Sequence, residues 1–255
     1  MKRQVGRKEY WFFVGLGLFL ILTLWYGATS FGFVKAFFLP APQKVFLSFL
    51  DLLTEGSLVH DALVSMGRII LGFAVSTLVS IPLGVLLALS KRFEALIEPL
   101  IAFIRYIPPA AFVPLTIIWF GVAETQKLIM LFLGIAPYLA LLIADIVKNT
   151  RRDLMEAAQT LGASPREVIF SVILPAAYPG IWDSFRIMIG AAWSFVTVAE
   201  IIGASSGLGH LMIQSQRYLR TDNIFVVIIT IGALGIFTDY FFKYTYKNFF
   251  PWIAQ

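Results

Sequence analysis

The residues that could do chemistry in this 255-residue chain are few, and their spacing argues against a catalytic set. Cysteine is absent, which removes thiolate nucleophiles, disulfides and thiolate metal sites. The two histidines, His60 and His210, stand 150 positions apart, so no metal site is expected either. A nucleophile needs a base within reach and a third group to orient that base, and no such trio is in view. What remains is a handful of ionisable residues embedded in apolar sequence, of the kind that marks a pathway or a structural pair inside a bilayer. Asp183 and Arg186 share a helix face at three residues, and Asp239 precedes Lys243 by four, so each pair is expected to close within its own helix. Glu200 follows Arg186 by 14 residues, about 21 Å along a helix, which predicts a place near the outer mouth. There a gate or a structural hydrogen bond is expected of it rather than a binding role. Arg105 lies 13 residues past Arg92 and is expected on a segment that first runs along the interface, where a long cation can snorkel.

The elements that position these residues follow from composition: 59% of residues are hydrophobic and 14% are charged, the balance of an integral membrane protein. Spanning helices need about 20 residues at 1.5 Å each. Six candidates are present, at 10–34, 69–90, 106–123, 128–144, 187–199 and 223–238. The first follows MKRQVGRKEY and is too long for a cleaved leader, so it is expected to stay as a helix. With the N-terminus inside, twelve Lys and Arg fall in inner segments and five in outer loops, so both termini are expected in the cytoplasm. The formal charge of +5 is thereby assigned to topology rather than to nucleic acid. The organisation expected is a tail, first span and external amphipathic segment over 1–66, a core over 67–250 and a short tail at 251–255. Within the external connection at 35–66, Val45, Phe46, Phe49, Leu50 and Leu53 form a helical stripe suited to the interface.

In the third candidate span Pro108, Pro109 and Pro114 remove backbone donors and predict a kinked or broken helix. Broken helices at depth line cavities in transporters, and the same prolines also fit a plain kink packed against its neighbours. Between the fourth and fifth spans lies the polar stretch MEAAQTLGASPREVIFSVILPAA, on the cytoplasmic side. Thr150 with Asp153 three residues on reads as a helix start, and Gly162 as its left-handed stop. Ser164, Pro165 and Glu167 then restart a helix with a capping box, and Pro175 and Pro179 are expected to break or bend it. Ala157, Ala158, Gly162 and Ala163 give this pair a narrow face that a partner can approach closely. Small residues within spans, including Gly84, Gly190, Gly232 and Gly235, suit close helix packing, in this chain or between two copies.

The order Glu156, Ala157, Ala158, then Gly162, then Val172, Leu174 and Pro175 resembles the Glu-Ala-Ala signature of permease subunits of binding-protein-dependent ABC importers, with Val172 where the signature has Ile. FFLPAPQKV at 37–45, RYIPPAAFVPLTIIWFG at 105–121 and AAWSFVTVAEIIGASSGLG at 191–209 are similar to the branch serving taurine, aliphatic sulfonates, nitrate and bicarbonate. The resemblance covers nearly the whole chain and departs at His210, where an aromatic is usual. It implies an all-α integral membrane protein with about six transmembrane helices, a type I ABC importer (MetI-like) fold and a cytoplasmic coupling helix at about 150–163. It further implies two ATP-binding subunits carrying ATP and Mg, a second permease copy as a homodimer, a soluble substrate-binding protein, and the bacterial inner membrane as its place. This chain has no G-x-x-x-x-G-K-[ST] run, so hydrolysis is expected in the partner and no cofactor or catalysis in the permease itself.

On that resemblance the coupling residues are Glu156, Ala157, Ala158, Leu161, Gly162, Ala163, Leu174 and Pro175. The translocation path is expected to involve Arg105, Pro108, Pro109, Pro114, Trp193 and Glu200. Contact with the binding protein is expected at Gly207, Gly209 and His210. Taurine or an alkanesulfonate is the first substrate class, with nitrate and bicarbonate next. A gradient-driven secondary transporter would use similar broken helices but would show paired inverted halves, and no second segment matches 106–123.

Overall fold

The computed structural model describes residues 6–150 and 152–252. The tail cations Lys2 and Arg3, the loop cation Arg151 and the tail residues 253–255 lie outside the described residues. Every regular element among the described residues is helical: α1 (Arg7–Ser30), α2 (Pro42–Thr54), α3 (Ser57–Leu89), α4 (Lys91–Tyr106), a 3-10 turn (Pro109–Phe112), α5 (Val113–Phe120), α6 (Glu124–Lys148), α7 (Arg152–Thr160), α8 (Pro165–Glu167), a π-helical turn (Val168–Ile173), α9 (Leu174–Gly203), α10 (Leu208–Arg217) and α11 (Thr221–Phe249). Five stretches are long and apolar enough to cross a bilayer: Lys8–Ser30, Ser57–Leu89, Glu124–Lys148, Pro165–Gly203 and Thr221–Phe249. The sixth candidate, predicted at 106–123, is instead a bent pair, α4 with the segment Pro109–Phe120, meeting at 89°.

Three sequence expectations change here. The helix after the capping box is not broken by Pro175 or Pro179. The helix runs on through the π turn into α9 and carries both Pro175 and Pro179 inside it, with the π turn, a local irregularity of the ladder, immediately before Pro175. α3 begins at Ser57, so the last ten residues of the expected outer connection at 35–66 are helical and continuous with the span. On α2 the buried face is Val45, Ser48 and Leu52, while Phe46 and Leu50 of the expected stripe stay exposed. In a lipid-bathed helix apolarity does not predict burial, because the outside is apolar too.

The chain divides into two compact units. The first comprises Met1–Val59 and Leu211–Ile229. In it Trp25 stacks on Phe225 with ring centroids 5.6 Å apart, and its indole N–H donates to the Pro40 carbonyl at 3.0 Å. The Ser48 hydroxyl donates to Asp222 at 2.6 Å. The second unit comprises His60–His210 and Thr230–Gln255 and is centred on α6, whose Met130, Leu131, Ile135, Leu139 and Ile143 are wholly buried. α6 packs most extensively against α9. At Gly84 a Cβ would lie 2.6 Å from the Ala140 carbonyl, so α3 and α6 approach as closely as a glycine allows.

Candidate functional site

The α7–α8 knuckle is built by local hydrogen bonds. Gly162 has φ +86°, the left-handed conformation that glycine adopts without a Cβ clash. The Ala163 amide donates back to the Ala158 carbonyl at 3.0 Å and the Gly162 amide to Gln159 at 2.9 Å, which together satisfy the carbonyls at the end of α7. The restart is the reciprocal capping box expected: the Ser164 amide donates to Glu167 at 2.7 Å and the Glu167 amide to the Ser164 hydroxyl at 3.4 Å. The start of α7 differs from expectation, since the buried Thr150 hydroxyl has no hydrogen-bond partner and caps nothing among the described residues. Glu156, Ala157 and Gly162 are exposed, Ala158 and Ala163 are half-buried, and Leu161 projects with 88% of its surface free. Leu161 thus stands out from the turn with no apolar cover. Leu174 and Pro175 lie half-buried at the foot of α9.

The second feature is the break between α4 and α5. Ile107 is extended, as the residue before a proline must be, and Pro109 opens a single 3-10 turn. Arg105 sits at the last turn of α4, where the helix dipole favours a cation. The position of this break follows from two contacts along α6. Lys148 pairs with Glu94 at 2.8 Å, and ten residues further into α6 the Tyr138 hydroxyl donates to the Arg105 carbonyl at 2.9 Å. Eleven residues of α4 and ten of α6 both rise about 15 Å, so α4 climbs alongside α6 rather than lying in the interface. Arg105 therefore lies beside the middle of α6, a helix long and apolar enough to cross a bilayer. Its guanidinium lies over the Tyr106 ring at 5.2 Å and the Tyr138 ring at 5.7 Å, and no carboxylate pairs with it among the described residues. Pro108 and Pro114 are exposed and Pro109 is half-buried around it.

The third feature was not found from sequence: a buried polar cluster that ties α3, α6, α9 and the start of α10. Glu200 is wholly buried, in the structural hydrogen bonding that was one of the two roles expected of it. It accepts from Arg68 at 2.7 Å, from the Ser65 hydroxyl at 2.8 Å and from the Gly209 amide at 2.9 Å. Arg68, 4% exposed, also forks onto Glu124 at 2.7 and 2.6 Å and donates to the Ser206 carbonyl at 2.7 Å. Asp61 accepts from the Gly207 amide at 2.8 Å, and Ser65 from the Leu208 amide at 2.9 Å. The signal available was a polar stripe, Asp61, Ser65 and Arg68, at i, i+4 and i+7 of an otherwise apolar helix. Gly207 and Gly209, expected on a docking surface, are buried here. A Cβ on Gly209 would sit 2.5 Å from the Thr197 carbonyl, and Gly207 (φ +109°) abuts Glu200 and Arg68. His210 alone of that trio is partly accessible. Trp193 is likewise interior, its indole donating to the Thr238 hydroxyl at 3.3 Å. The expected Asp183–Arg186 pair is replaced by an Arg186–Asp239 pair between α9 and α11, while Asp239–Lys243 forms at 2.9 Å. Among the described residues no three His, Cys, Asp or Glu side chains converge as a metal site.

Residues 80–251, spanning the helix break, the knuckle and most of the buried cluster, match the family described as "Binding-protein-dependent transport system inner membrane component". The chain belongs to that family. This permease is 39% identical over 232 residues to a probable ABC transporter permease protein of Brucella melitensis, covering 88% of this chain and 92% of the relative. It is 32% identical over 243 residues to the taurine transport system permease protein of Escherichia coli, covering 93% and 88%. A methionine ABC transporter in an inward-facing conformation superposes with a TM-score of 0.70 at 18% identity, over 76% of this chain and 97% of that one, which establishes a shared fold. The permease is thus a multi-pass, all-helical membrane component of a binding-protein-dependent importer. The α7–Gly162–α8 knuckle carries its Glu-Ala-Ala sequence.

Proposed function

We propose that this permease carries taurine or a related alkanesulfonate, with nitrate and bicarbonate as the next class, and works as a homodimer driven by two separate ATP-binding subunits. The coupling part of this reading is carried by the exposed, doubly capped knuckle bearing Leu161 and Glu156. Such a knuckle can transmit force only if it is rigid, and the left-handed Gly162 turn with its 6→1 and 5→2 bonds supplies that rigidity. It leads through α8 and the π turn directly into α9, so a push on α7 is delivered to a spanning helix. ATP and Mg belong to the partner subunits in this reading, and the permease itself performs no chemistry. Both termini lie in the cytoplasm of a bacterial inner membrane, with the knuckle on the same side, in keeping with the excess of Lys and Arg in those segments.

For the substrate, the similarity to a taurine permease and the unpaired Arg105 point the same way. A sulfonate stays ionised at every physiological pH, so its passage through the low-dielectric interior needs a compensating cation. Arg105 stands at depth beside a helix break, braced by two tyrosine rings rather than by a carboxylate that a substrate would have to displace. The contact lowers the barrier without a deep well, as release on the other side requires. His210 and the accessible residues of α10 serve the soluble binding protein in this scheme. The test is co-expression with the neighbouring ATPase and binding protein, co-purification, and uptake of labelled taurine into proteoliposomes with ATP inside. Co-purification with ATP-dependent uptake is expected. Uptake by the permease alone on an ion gradient would overturn the coupling reading, and ATP-driven uptake of a solute without an anionic group, but of no sulfonate, nitrate or bicarbonate, would overturn the substrate class.

A further inference from the structure

A cavity of about 500 Å³ opens between α9 and the last third of α11, lined by Asp183, Arg186, Tyr240, Lys243, Tyr244 and Lys247, among others. None of the transport features above uses it. It begins where the charge-free run of α11 ends, at Asp239, and so falls at the level where a bilayer gives way to its headgroups. The aromatic residues beside it have the composition of an interfacial belt: the Trp182 indole donates to the Phe242 carbonyl at 3.2 Å, packs on Phe249 at 5.2 Å, and Trp252 follows. The charge in the cavity is unbalanced. Arg186 and Lys243 share the single carboxylate Asp239, while Lys247 has no carboxylate partner among the described residues. Three cations against Asp183 and Asp239 leave one positive charge, which a singly charged phosphodiester neutralises. Lys243 also lies over the Tyr240 ring at 5.4 Å, which keeps its ammonium at the cavity rather than free in water. The hydroxyls of Tyr240 and Tyr244 have no protein partner among the described residues and can donate to phosphate or bond to glycerol. One helical turn from the cavity-lining Asp183 and Tyr240, on the same helix faces and toward the apolar part of each helix, Ile187 and Ile236 are 64% and 60% exposed and offer an apolar surface for acyl chains.

We propose that this cavity binds the headgroup of an anionic phospholipid, with the phosphodiester between Lys243 and Lys247, near Arg186, and the acyl chains along the exposed apolar face of α9 and α11. A soluble anion would use the same cations but not the apolar face, which is why the lipid is the occupant chosen. The site does not depend on which solute the permease carries.

The test is native mass spectrometry of the full-length permease released from vesicles of phosphatidylglycerol with phosphatidylcholine, and from phosphatidylcholine vesicles supplied with inorganic phosphate. One tightly retained phosphatidylglycerol per chain is expected, with no comparable retention of phosphatidylcholine or inorganic phosphate. Lys247→Ala should lower that retention roughly fivefold and Lys243→Ala/Lys247→Ala about thirtyfold, while Lys247→Arg retains it. Lys247 holds no structural ion pair, so the single variant reads the site even if the double variant does not fold. Equal retention by wild type and Lys247→Ala would overturn the proposal, as would inorganic phosphate bound as tightly as the lipid, which would make this a site for a soluble anion.

Discussion

Replacing Arg68 by Met puts the buried cluster to its most demanding test, because it leaves the wholly buried Glu200 without its only cation among the described residues. Glu200 would keep two hydrogen bonds, from Ser65 and the Gly209 amide, but its charge would have no counter-ion. Removing one partner of a buried pair costs about 3–5 kcal/mol, because the other is left charged in a poor solvent. For a chain of this size each kcal/mol lowers the melting temperature by roughly 2–4 °C, so Arg68→Met should melt roughly 6–20 °C below wild type. Glu124, the other arm of the Arg68 fork, has a 61% exposed side chain and also faces the buried Lys127 at 3.5 Å; Glu124→Gln keeps an acceptor for both cations and leaves the Arg68–Glu200 pair intact, so it should cost less than Arg68→Met. The decisive variant is Arg68→Met/Glu200→Gln. It removes the stranded charge and keeps an acceptor for Ser65 and Gly209, so it should regain most of the loss even though it is further from the native sequence. The assay is the temperature at which half of the monodisperse protein is lost in one detergent at a fixed heating rate, since membrane proteins unfold irreversibly. If the double variant melts no higher than Arg68→Met, or if Glu124→Gln is as damaging as Arg68→Met, the cluster is not held by compensation of the Glu200 charge.

Three further outcomes follow from single positions. Gly162→Val forces a β-branched residue to φ +86° where no neighbour crowds it, so strain alone should cost about 1–3 kcal/mol, and substrate-stimulated ATPase activity of the assembled importer should fall while the permease remains folded; wild-type stimulation would remove Gly162 from the coupling turn. Gly209→Ala drives a methyl against the backbone carbonyl of Thr197 and should lower the melting temperature more than Gly190→Ala, whose added Cβ meets nothing within 4 Å, and equal shifts would count against the cluster geometry. Arg105→Met should raise the KM for sulfonate uptake or abolish transport while Arg105→Lys retains part of it, and unchanged uptake in the Met variant would take Arg105 out of the path.

What could be read from sequence was what depends on neighbours along the chain. The capping box at Ser164 and the left-handed Gly162 are set by residues three to five apart, and both appear in the structure as expected. The helix break at Pro108 has the same local origin, since a proline pair removes two donors wherever it sits. What could not be read was which side chain meets which across helices. Asp183 and Arg186 have ideal spacing for an ion pair within one helix, yet Arg186 reaches Asp239 on α11. Which carboxylate meets Arg186 is set by how α11 packs beside α9, not by spacing along α9. For Glu200 the structural hydrogen bond expected from sequence is present, but its partner Arg68, 132 positions away, depends on packing that helical periodicity does not encode.

The position of Arg105 is set by α6. Sequence distance from Arg92 allows two placements, along the interface or into the membrane, because a helix of known length has no direction of its own. A second helix that crosses the membrane supplies the direction. The Glu94–Lys148 and Arg105–Tyr138 contacts are two rungs on α6, and their matched rise fixes α4 as a climbing half-span. An arginine carried to that depth costs several kcal/mol unless something repays it. Two tyrosine faces and the α4 C-terminus recover part of that, at about 0.5–2 kcal/mol for each ring and about 0.3–1 kcal/mol for the dipole. The remainder is best met by water or an anion at the break, which is why the unpaired state of Arg105 is an argument for a pathway rather than an oddity of packing.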